Sequence, residues 1–231
     1  MGFWDSRTLV PSITSWNVDW RKWVKDADEL GIKSLAIFLT GIDKSERPEL
    51  YKLLDESNVE NIPFVHLKSD MDLWELDYFV EKWGTKAFNI HTEEEYRQEN
   101  DISKYKNIIY VENVHLKLDE EEVKRWGGLC IDVNHIEEAK YIYKDIHEHN
   151  LGVMKKYKVG CNHLSPLKAD IATDLEFKNT HLVENLSEFD YLDNYESRFF
   201  GPIMALEVRN PLKEQLPMLK YVVELLDGKE K

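Results

Sequence analysis

Short apolar runs alternate with longer amphipathic stretches along this chain, and the alternation constrains its fold more than any other feature. Parallel strands buried on both faces read as continuous apolar runs, and strands that alternate with helices are typical of βαβ units. Eight runs occur, at Leu9–Thr14, Ser34–Thr40, Ile62–Val65, Ala87–Ile90, Ile108–Val111, Leu129–Ile131, Tyr157–Asn162 and Ile203–Leu206. The pattern predicts an α/β fold, a single (β/α)8 TIM barrel over residues 1–231.

Helical patterns separate these runs, and a Gly follows several of them, as expected at a helix C-terminus. The predicted helices are Val18–Leu30, Pro48–Ser57, Leu73–Trp83, Asp119–Trp126, Ile136–Asn150 and Leu212–Leu226, with the charged stretch Glu93–Lys104 after the fourth run. The longest gap, about residues 165–200, predicts a long loop over the barrel mouth. The main alternative, an open doubly wound sheet, needs a Gly-rich turn after the first run, and residues 14–17 do not provide one.

The composition narrows the class of protein further. Hydrophobic residues make up 42% and charged residues 32% of the 231 residues, and no apolar run reaches the roughly 18 residues of a membrane span. The N-terminus lacks a secretion signal, and Cys130 and Cys161 lie in predicted core strands, so we expect reduced thiols and a cytoplasmic protein, with a disulfide left open. The net charge of -14 argues against nucleic acid as a partner. Homo-oligomerisation is left open.

A residue with an imidazole or a carboxylate side chain directly follows six of the runs. These residues are His66, His91, Glu112, Asp132, His163 and Glu207. In a barrel the C-terminal strand ends converge on one face, so we expect these side chains to meet there. Carboxylates with imidazoles suit a divalent cation, and the number of His residues favours Zn²⁺ or Mn²⁺, while Mg²⁺ and Co²⁺ are also compatible. Glu112, Asp132, His163 and Glu207 are the predicted core of this metal site.

Each of these residues also has an ordinary structural interpretation. A single His at a strand end commonly makes a hydrogen bond, and Asp132 is well placed to cap the helix that contains His135. A barrel has no structural need for charged groups crowded at one face, so the set as a whole favours a metal site. Three other histidines do not end strands and are predicted to be surface residues: His115, His147 and His149.

The order of these residues resembles the xylose isomerase-like TIM barrel superfamily, which includes sugar isomerases and epimerases and the apurinic endonucleases of the endonuclease IV type. The most specific pieces are Asp132-x-x-His135 and Asn162-His163-Leu164-Ser165. The epimerase branch implies one ion held by Glu112, Asp132, His163 and Glu207. There the two Glu exchange a proton with a small sugar or sugar derivative through a metal-bound enediolate, and His135 contacts the substrate.

The endonuclease branch implies three zinc ions and phosphodiester cleavage at abasic sites. Its ligand sets would be His66, His91 and Glu112, then Asp132, His163 and Glu207, then His135 and His181. An Asp belongs two residues before the last His, where this chain has Asn179, so the number of ions is one to three. This departure favours the isomerase or epimerase. A zinc-dependent phosphodiesterase and a non-catalytic metal-binding barrel are the alternatives.

Two cations near the mouth are predicted to contact a carbohydrate substrate. Lys168 follows His163 in the long loop, and Arg209 follows Glu207. Each has a competing interpretation, because loop lysines are usually solvated and Arg209 is well placed to pair with a carboxylate. The spacing of Trp16 to Trp20 and Trp23 predicts packing along a helix face, and the position of Trp16 after the first run makes the wall of a sugar pocket the alternative.

Overall fold

The computed structural model describes residues 2–14, 16, 18–168 and 181–229. Their nine strands are all parallel and form a nearly closed α/β barrel, which confirms the predicted TIM-barrel class. The strands are β1 Thr8–Val10, β2 Ser12–Thr14, β3 Ala36–Phe38, β4 Phe64–His66, β5 Ala87–Ile90, β6 Ile109–Glu112, β7 Leu129–Asp132, β8 Val159–Leu164 and β9 Ile203–Leu206.

The first predicted strand is divided at Pro11, which corrects the single run expected there. Pro has no N–H to donate to a ladder, so pairing is interrupted at this residue. Strand β1 pairs with β9, whereas β2 pairs with β3. The Pro11 carbonyl still accepts a hydrogen bond from the Ala36 amide at 2.8 Å. The two halves of one interrupted strand therefore join the two ends of the sheet.

Seven α-helices occur among the described residues, and one of the predicted helices needs correction. The helices are α1 Trp20–Glu29, α2 Arg47–Glu56, α3 Leu73–Trp83, α4 Glu120–Arg125, α5 Val133–Ile142, α6 Lys144–Met154 and α7 Leu212–Leu226. The predicted helix Ile136–Asn150 is two helices, since Tyr143 leaves the helical region with φ -131° and ψ 67°. The stretch Glu93–Lys104 has no α-helix, and a short 3-10 helix, Ser103–Tyr105, ends it.

The core has two layers. A small cluster fills the barrel interior, with Phe38, Phe64 and Tyr110 as its largest members. Cys130 and Cys161 lie in the same cluster on adjacent strands, and both are free and buried, as predicted. A larger apolar cluster lies between the strands and the surrounding helices.

The long segment after β8 is described only in part, and residues 169–180 lie outside the described residues. Its later half contains two 3-10 helices, Leu186–Asn194 and Ser197–Phe199. These pack inward through buried aromatic residues, including Phe189 and Phe199. Among the described residues, no helix has the length and apolar character that crossing a bilayer requires.

Candidate metal centre

Glu112 ends β6 and directs its two carboxylate oxygens toward different imidazoles. Its Oε2 lies 3.2 Å from His66 Nε2 and 3.7 Å from His91 Nε2, and it accepts a hydrogen bond of 2.6 Å from Asn89 Nδ2. Its Oε1 lies 3.4 Å from His163 Nδ1. The Glu112 side chain is 3% exposed. One buried carboxylate therefore faces two separate groups of ligands.

His163 lies between Glu112 and Glu207. The prediction placed His163 just after its strand, but β8 continues to Leu164, so this imidazole projects from within the sheet. Its Nδ1 is 3.2 Å from Glu207 Oε2, and the side chain is fully buried. Neither ring nitrogen has a hydrogen-bond partner among the described residues.

Asp132 performs the capping role and also faces the centre. Its Oδ1 accepts hydrogen bonds from the amides of Asn134 at 2.8 Å and His135 at 3.1 Å, so it caps α5. Its Oδ2 has no hydrogen-bond partner within the described ranges and lies 3.4 Å from His135 Nε2. Asn113 holds the Asp132 backbone through two bonds of 2.9 Å. The capping and ligand interpretations are thus compatible.

These distances fit a divalent ion. Ligand bonds of about 2.1 Å in a tetrahedral site place the ligand atoms about 3.4 Å apart. His66 Nε2, His91 Nε2 and Glu112 Oε2 lie 3.1 to 3.7 Å from one another. Asp132, His163 and Glu207 also bring ligand atoms within 4.8 Å of each other. Buried nitrogen and oxygen atoms that lack hydrogen-bond partners are costly, and coordination would satisfy them.

Neighbouring groups hold the two histidines of the first ligand set in orientation. The His66 Nδ1–H donates to the Leu67 carbonyl at 2.9 Å, which directs Nε2 toward Glu112. His91 Nδ1 lies 2.8 Å from Glu95 Oε2, and its Nε2 points to the same side as that of His66. A carboxylate or carbonyl behind an imidazole is the usual support of a metal-binding His.

The charges at the centre shift several pKa values. Burial alone would raise the pKa of Glu112, but His163 and His91 hold it well below its usual range. In the same way, His181 and His163 outweigh burial and lower the pKa of Glu207 to about 2. Burial raises the pKa of Asp132 to about 6. At neutral pH the two Glu are therefore carboxylates able to accept a proton or bind a cation.

A cavity of about 580 Å³ opens above these residues, which is within the range of small-molecule sites. Six of the eight predicted metal ligands line its wall, namely His66, His91, Glu112, His135, His181 and Glu207, whereas Asp132 and His163 lie deeper. Trp16 lines the cavity and precedes α1, so its position agrees with the alternative and not with packing along the helix face. Lys68 also lines it, and its Nζ donates to the Ile42 carbonyl.

The structure does not bring the two predicted substrate cations to the cavity wall. Lys168 Nζ lies 2.9 Å from Glu188 and 3.4 Å from Glu184. The Arg209 guanidinium lies over the Trp16 ring, 5.3 Å from its centroid. A substrate role for either cation stays a prediction.

His181 and Asn179 belong to the predicted third ligand set. His181 has a positive φ of 42°, and its Nδ1 bonds the Glu207 carbonyl at 3.1 Å. Among the described residues, no potential ligand cluster includes His181. Asn179 lies outside the described residues, so its predicted effect on a third ion stays a prediction.

His115, predicted to be a surface residue, is only partly exposed and lies beside His135. Its ring packs edge-on against His135, with centroids 4.4 Å apart, and its Nε2 lies 3.6 Å from Glu138. Burial and the neighbouring charge of His135 lower its pKa to about 4. The only sequence signal was its position three residues after Glu112, on the connection that leaves the mouth end of β6. By contrast, His149 is exposed, as predicted.

These features define a parallel α/β barrel with carboxylates and imidazoles gathered at the C-terminal ends of its strands. No protein-family profile and no curated protein matches the chain. Among solved structures it is similar to a xylose isomerase domain protein from Alicyclobacillus acidocaldarius subsp. acidocaldarius, with a TM-score of 0.51, 11% identity, and coverage of 95% of this chain and 98% of that chain. It also matches an AP endonuclease, family 2, from Brucella melitensis, with a TM-score of 0.42, 8% identity, and coverage of 91% and 98%.

The first likeness shows the fold, which is the parallel α/β barrel that the alternating pattern predicted. At 11% identity the fold is all that it shows, because one barrel hosts many reactions. The reaction depends on the residues of the site.

Proposed function

We propose that this protein is a divalent-metal-dependent isomerase or epimerase that acts on a small sugar or sugar derivative. The supporting observation is that Glu112 and Glu207, from two separate strands, flank one buried imidazole at the base of a cavity of about 580 Å³. A cavity of this size suits a small molecule, and the net charge of -14 disfavours a polyanion. Zn²⁺ or Mn²⁺ is the proposed ion.

The proposed chemistry is proton transfer at a carbon next to a carbonyl. A divalent ion, when bound, would polarise the substrate oxygens and so make the adjacent C–H more acidic. Glu112 and Glu207 accept and return the proton, since both are ionised at neutral pH. A base on each face of the carbon is what epimerisation requires. His135 lines the cavity and lies 3.4 Å from Asp132, and its proposed role is to contact a substrate hydroxyl.

Deuterium exchange tests this proposal directly. The full-length protein, loaded with Zn²⁺ or Mn²⁺, is incubated with ketoses and aldoses in D₂O, and incorporation at the carbon next to the carbonyl is followed by NMR. We expect incorporation, and its loss in Glu112→Gln and Glu207→Gln. Glu184→Gln is the matched control, because Glu184 pairs with Lys168 and does not line the cavity. A metal-loaded protein that exchanges deuterium into no member of the panel would contradict the proposal.

A second candidate, a zinc-dependent phosphodiesterase of the abasic-site type, is favoured by one observation. The two oxygens of Glu112 face different imidazoles, as a carboxylate that bridges two ions would. Two-ion sites commonly serve phosphoryl transfer. The test is incision of an abasic duplex by the zinc-loaded protein. Incision that is lost in His66→Ala would replace the isomerase proposal with this one.

A further inference from the structure

A second cluster of potential metal ligands lies beside the metal centre at the strand ends. We call that first centre, with Glu112, Asp132, His163 and Glu207 at its core, the strand-end centre. The second cluster consists of His115, on the connection after β6, and His135 and Glu138, on α5. Residues three apart lie on the same helix face, so His135 and Glu138 are neighbours there. One potential ligand atom from each of the three residues lies within 4.8 Å of the other two.

Both imidazoles approach the same carboxylate oxygen. His115 Nε2 lies 3.6 Å from Glu138 Oε2, and His135 Nδ1 lies 3.5 Å from that atom. These separations are long for hydrogen bonds between a ring N–H and a carboxylate, which are normally about 2.7–2.9 Å. They match the ligand-to-ligand separation of about 3.4 Å in a tetrahedral zinc site. The His135 Nδ1 and Glu138 Oε2 atoms make one long hydrogen bond of 3.5 Å, and the same arrangement has the separations that a shared cation requires.

The other side of the His135 ring faces the strand-end centre, since its Nε2 lies 3.4 Å from Asp132 Oδ2. The ring is therefore the boundary between two groups of ligands. The resemblance had paired His135 with His181, but no potential ligand cluster among the described residues includes His181. His115 and Glu138 are the partners that the structure gives to His135.

We propose that His115, His135 and Glu138 bind a zinc ion that is additional to the ions of the strand-end centre. Two imidazoles and one carboxylate are a known three-residue zinc set, which leaves the fourth position for water or another ligand. The cluster is held by α5, whose N-terminus Asp132 caps. The His115 side chain is 29% exposed, which provides an entry path from solvent. This site does not depend on the proposed isomerase reaction.

Zinc stoichiometry tests the proposal. The full-length protein is stripped with a chelator, reloaded with ZnSO₄, freed of excess zinc and analysed for metal. We expect His115→Ala and Glu138→Gln each to hold one zinc ion per chain fewer than the wild type. His149→Ala is the control, since His149 is exposed and bonds only the Leu118 carbonyl among the described residues. It should retain the wild-type amount.

A variant that lacks ligands of the strand-end centre distinguishes the two sites. A Glu112→Ala/His163→Ala variant should still bind zinc, and adding His115→Ala should remove it. Visible absorption of Co²⁺ in the same variants reports the coordination directly. Thermal unfolding in chelator checks the fold, and the part-exposed His115 is the decisive position because its removal leaves the core intact. Unchanged zinc content in both His115→Ala and Glu138→Gln would overturn the proposal, whatever reaction the strand-end centre supports.

Discussion

Asp132 uses its two carboxylate oxygens for different purposes, one to cap α5 and one to face the centre. Asn is as good an N-cap as Asp but a much weaker ligand. We therefore expect Asp132→Asn to keep the metal-free stability within about 1 kcal/mol and to weaken metal binding at least tenfold. Asp132→Ala should lose both the cap and the ligand. Chelator-dependent thermal unfolding and zinc competition measure the two effects separately. Equal metal affinity in Asp132→Asn and the wild type would remove Asp132 from the ligand set.

The charge on His135 makes the metal-free protein sensitive to pH. Burial lowers the pKa of His135, but Asp132 and Glu138 together raise it from 6.5 to about 10. A raised folded-state pKa means that the stabilisation is complete below about pH 6.5 and is lost as the pH rises toward 10. In chelator, the thermal unfolding midpoint should therefore decrease as the pH rises from about 6.5 to about 10, and His135→Asn should make this decrease smaller. Zinc should reduce it too, because a bound imidazole has already released that proton. A wild-type profile as flat as that of His135→Asn would contradict this account.

At the residue scale, the sequence predicted the strand-end residues because parallel strands deliver their C-terminal ends to one face. Glu112, His163 and Glu207 meet for that reason alone. His115 and Glu138 were missed because their meeting depends on the path of a connection and the rotation of α5, which no run of residues encodes. The bond from Asn89 to Glu112 was missed in the same way, since it crosses between adjacent strands.

At the scale of elements, β8 depends on a Gly. A Cβ on Gly160 would lie 2.0 Å from the buried Tyr110 ring, and an aromatic ring inside a barrel has little room to move. We expect Gly160→Ala to destabilise the protein by about 1–3 kcal/mol and to weaken metal binding through His163 on the same strand. Denaturant unfolding and zinc titration measure both effects.

The matched control for that substitution is Gly152→Ala in α6. A Cβ there meets nothing within 4 Å, so the change should stabilise the helix by about 0.5–1 kcal/mol. Stability in Gly160→Ala equal to that of the wild type would mean that Tyr110 and β8 can move apart.

The elements that the sequence predicted least well are those set by tertiary contacts. The break at Tyr143 divides a stretch whose helical pattern is continuous, and no Gly or Pro marks the position. The charged stretch Glu93–Lys104 satisfies its backbone by other means, for example the Glu93 amide, which donates to Glu122 Oε1 at 2.9 Å. Pro11, by contrast, was a visible signal, and a break in the first run follows from its missing N–H.

At the scale of the whole molecule, Gln215 supports the closure of the barrel. Its side chain is fully buried, accepts from the Ser12 amide at 2.8 Å and donates to the Ser12 carbonyl at 2.9 Å. Gln215→Leu would leave both backbone groups unsatisfied beside the interruption at Pro11, so we expect a loss of about 1–3 kcal/mol. Lys213→Ala, at an exposed position of the same helix, should cost less than about 0.5 kcal/mol. Similar denaturation midpoints for the two variants would show that α7 does not support the closure.

The shared carboxylate of Glu112 also has a thermodynamic consequence. Because its two oxygens serve different imidazoles, the two ligand sets cannot fill independently. If an ion in one set changes the affinity of the other set by some factor, an ion in that other set changes the affinity of the first by the same factor. This follows because coupling between two binding equilibria is reciprocal. An isotherm for two ions at this centre would therefore contain one coupling energy, transmitted through the Glu112 carboxylate.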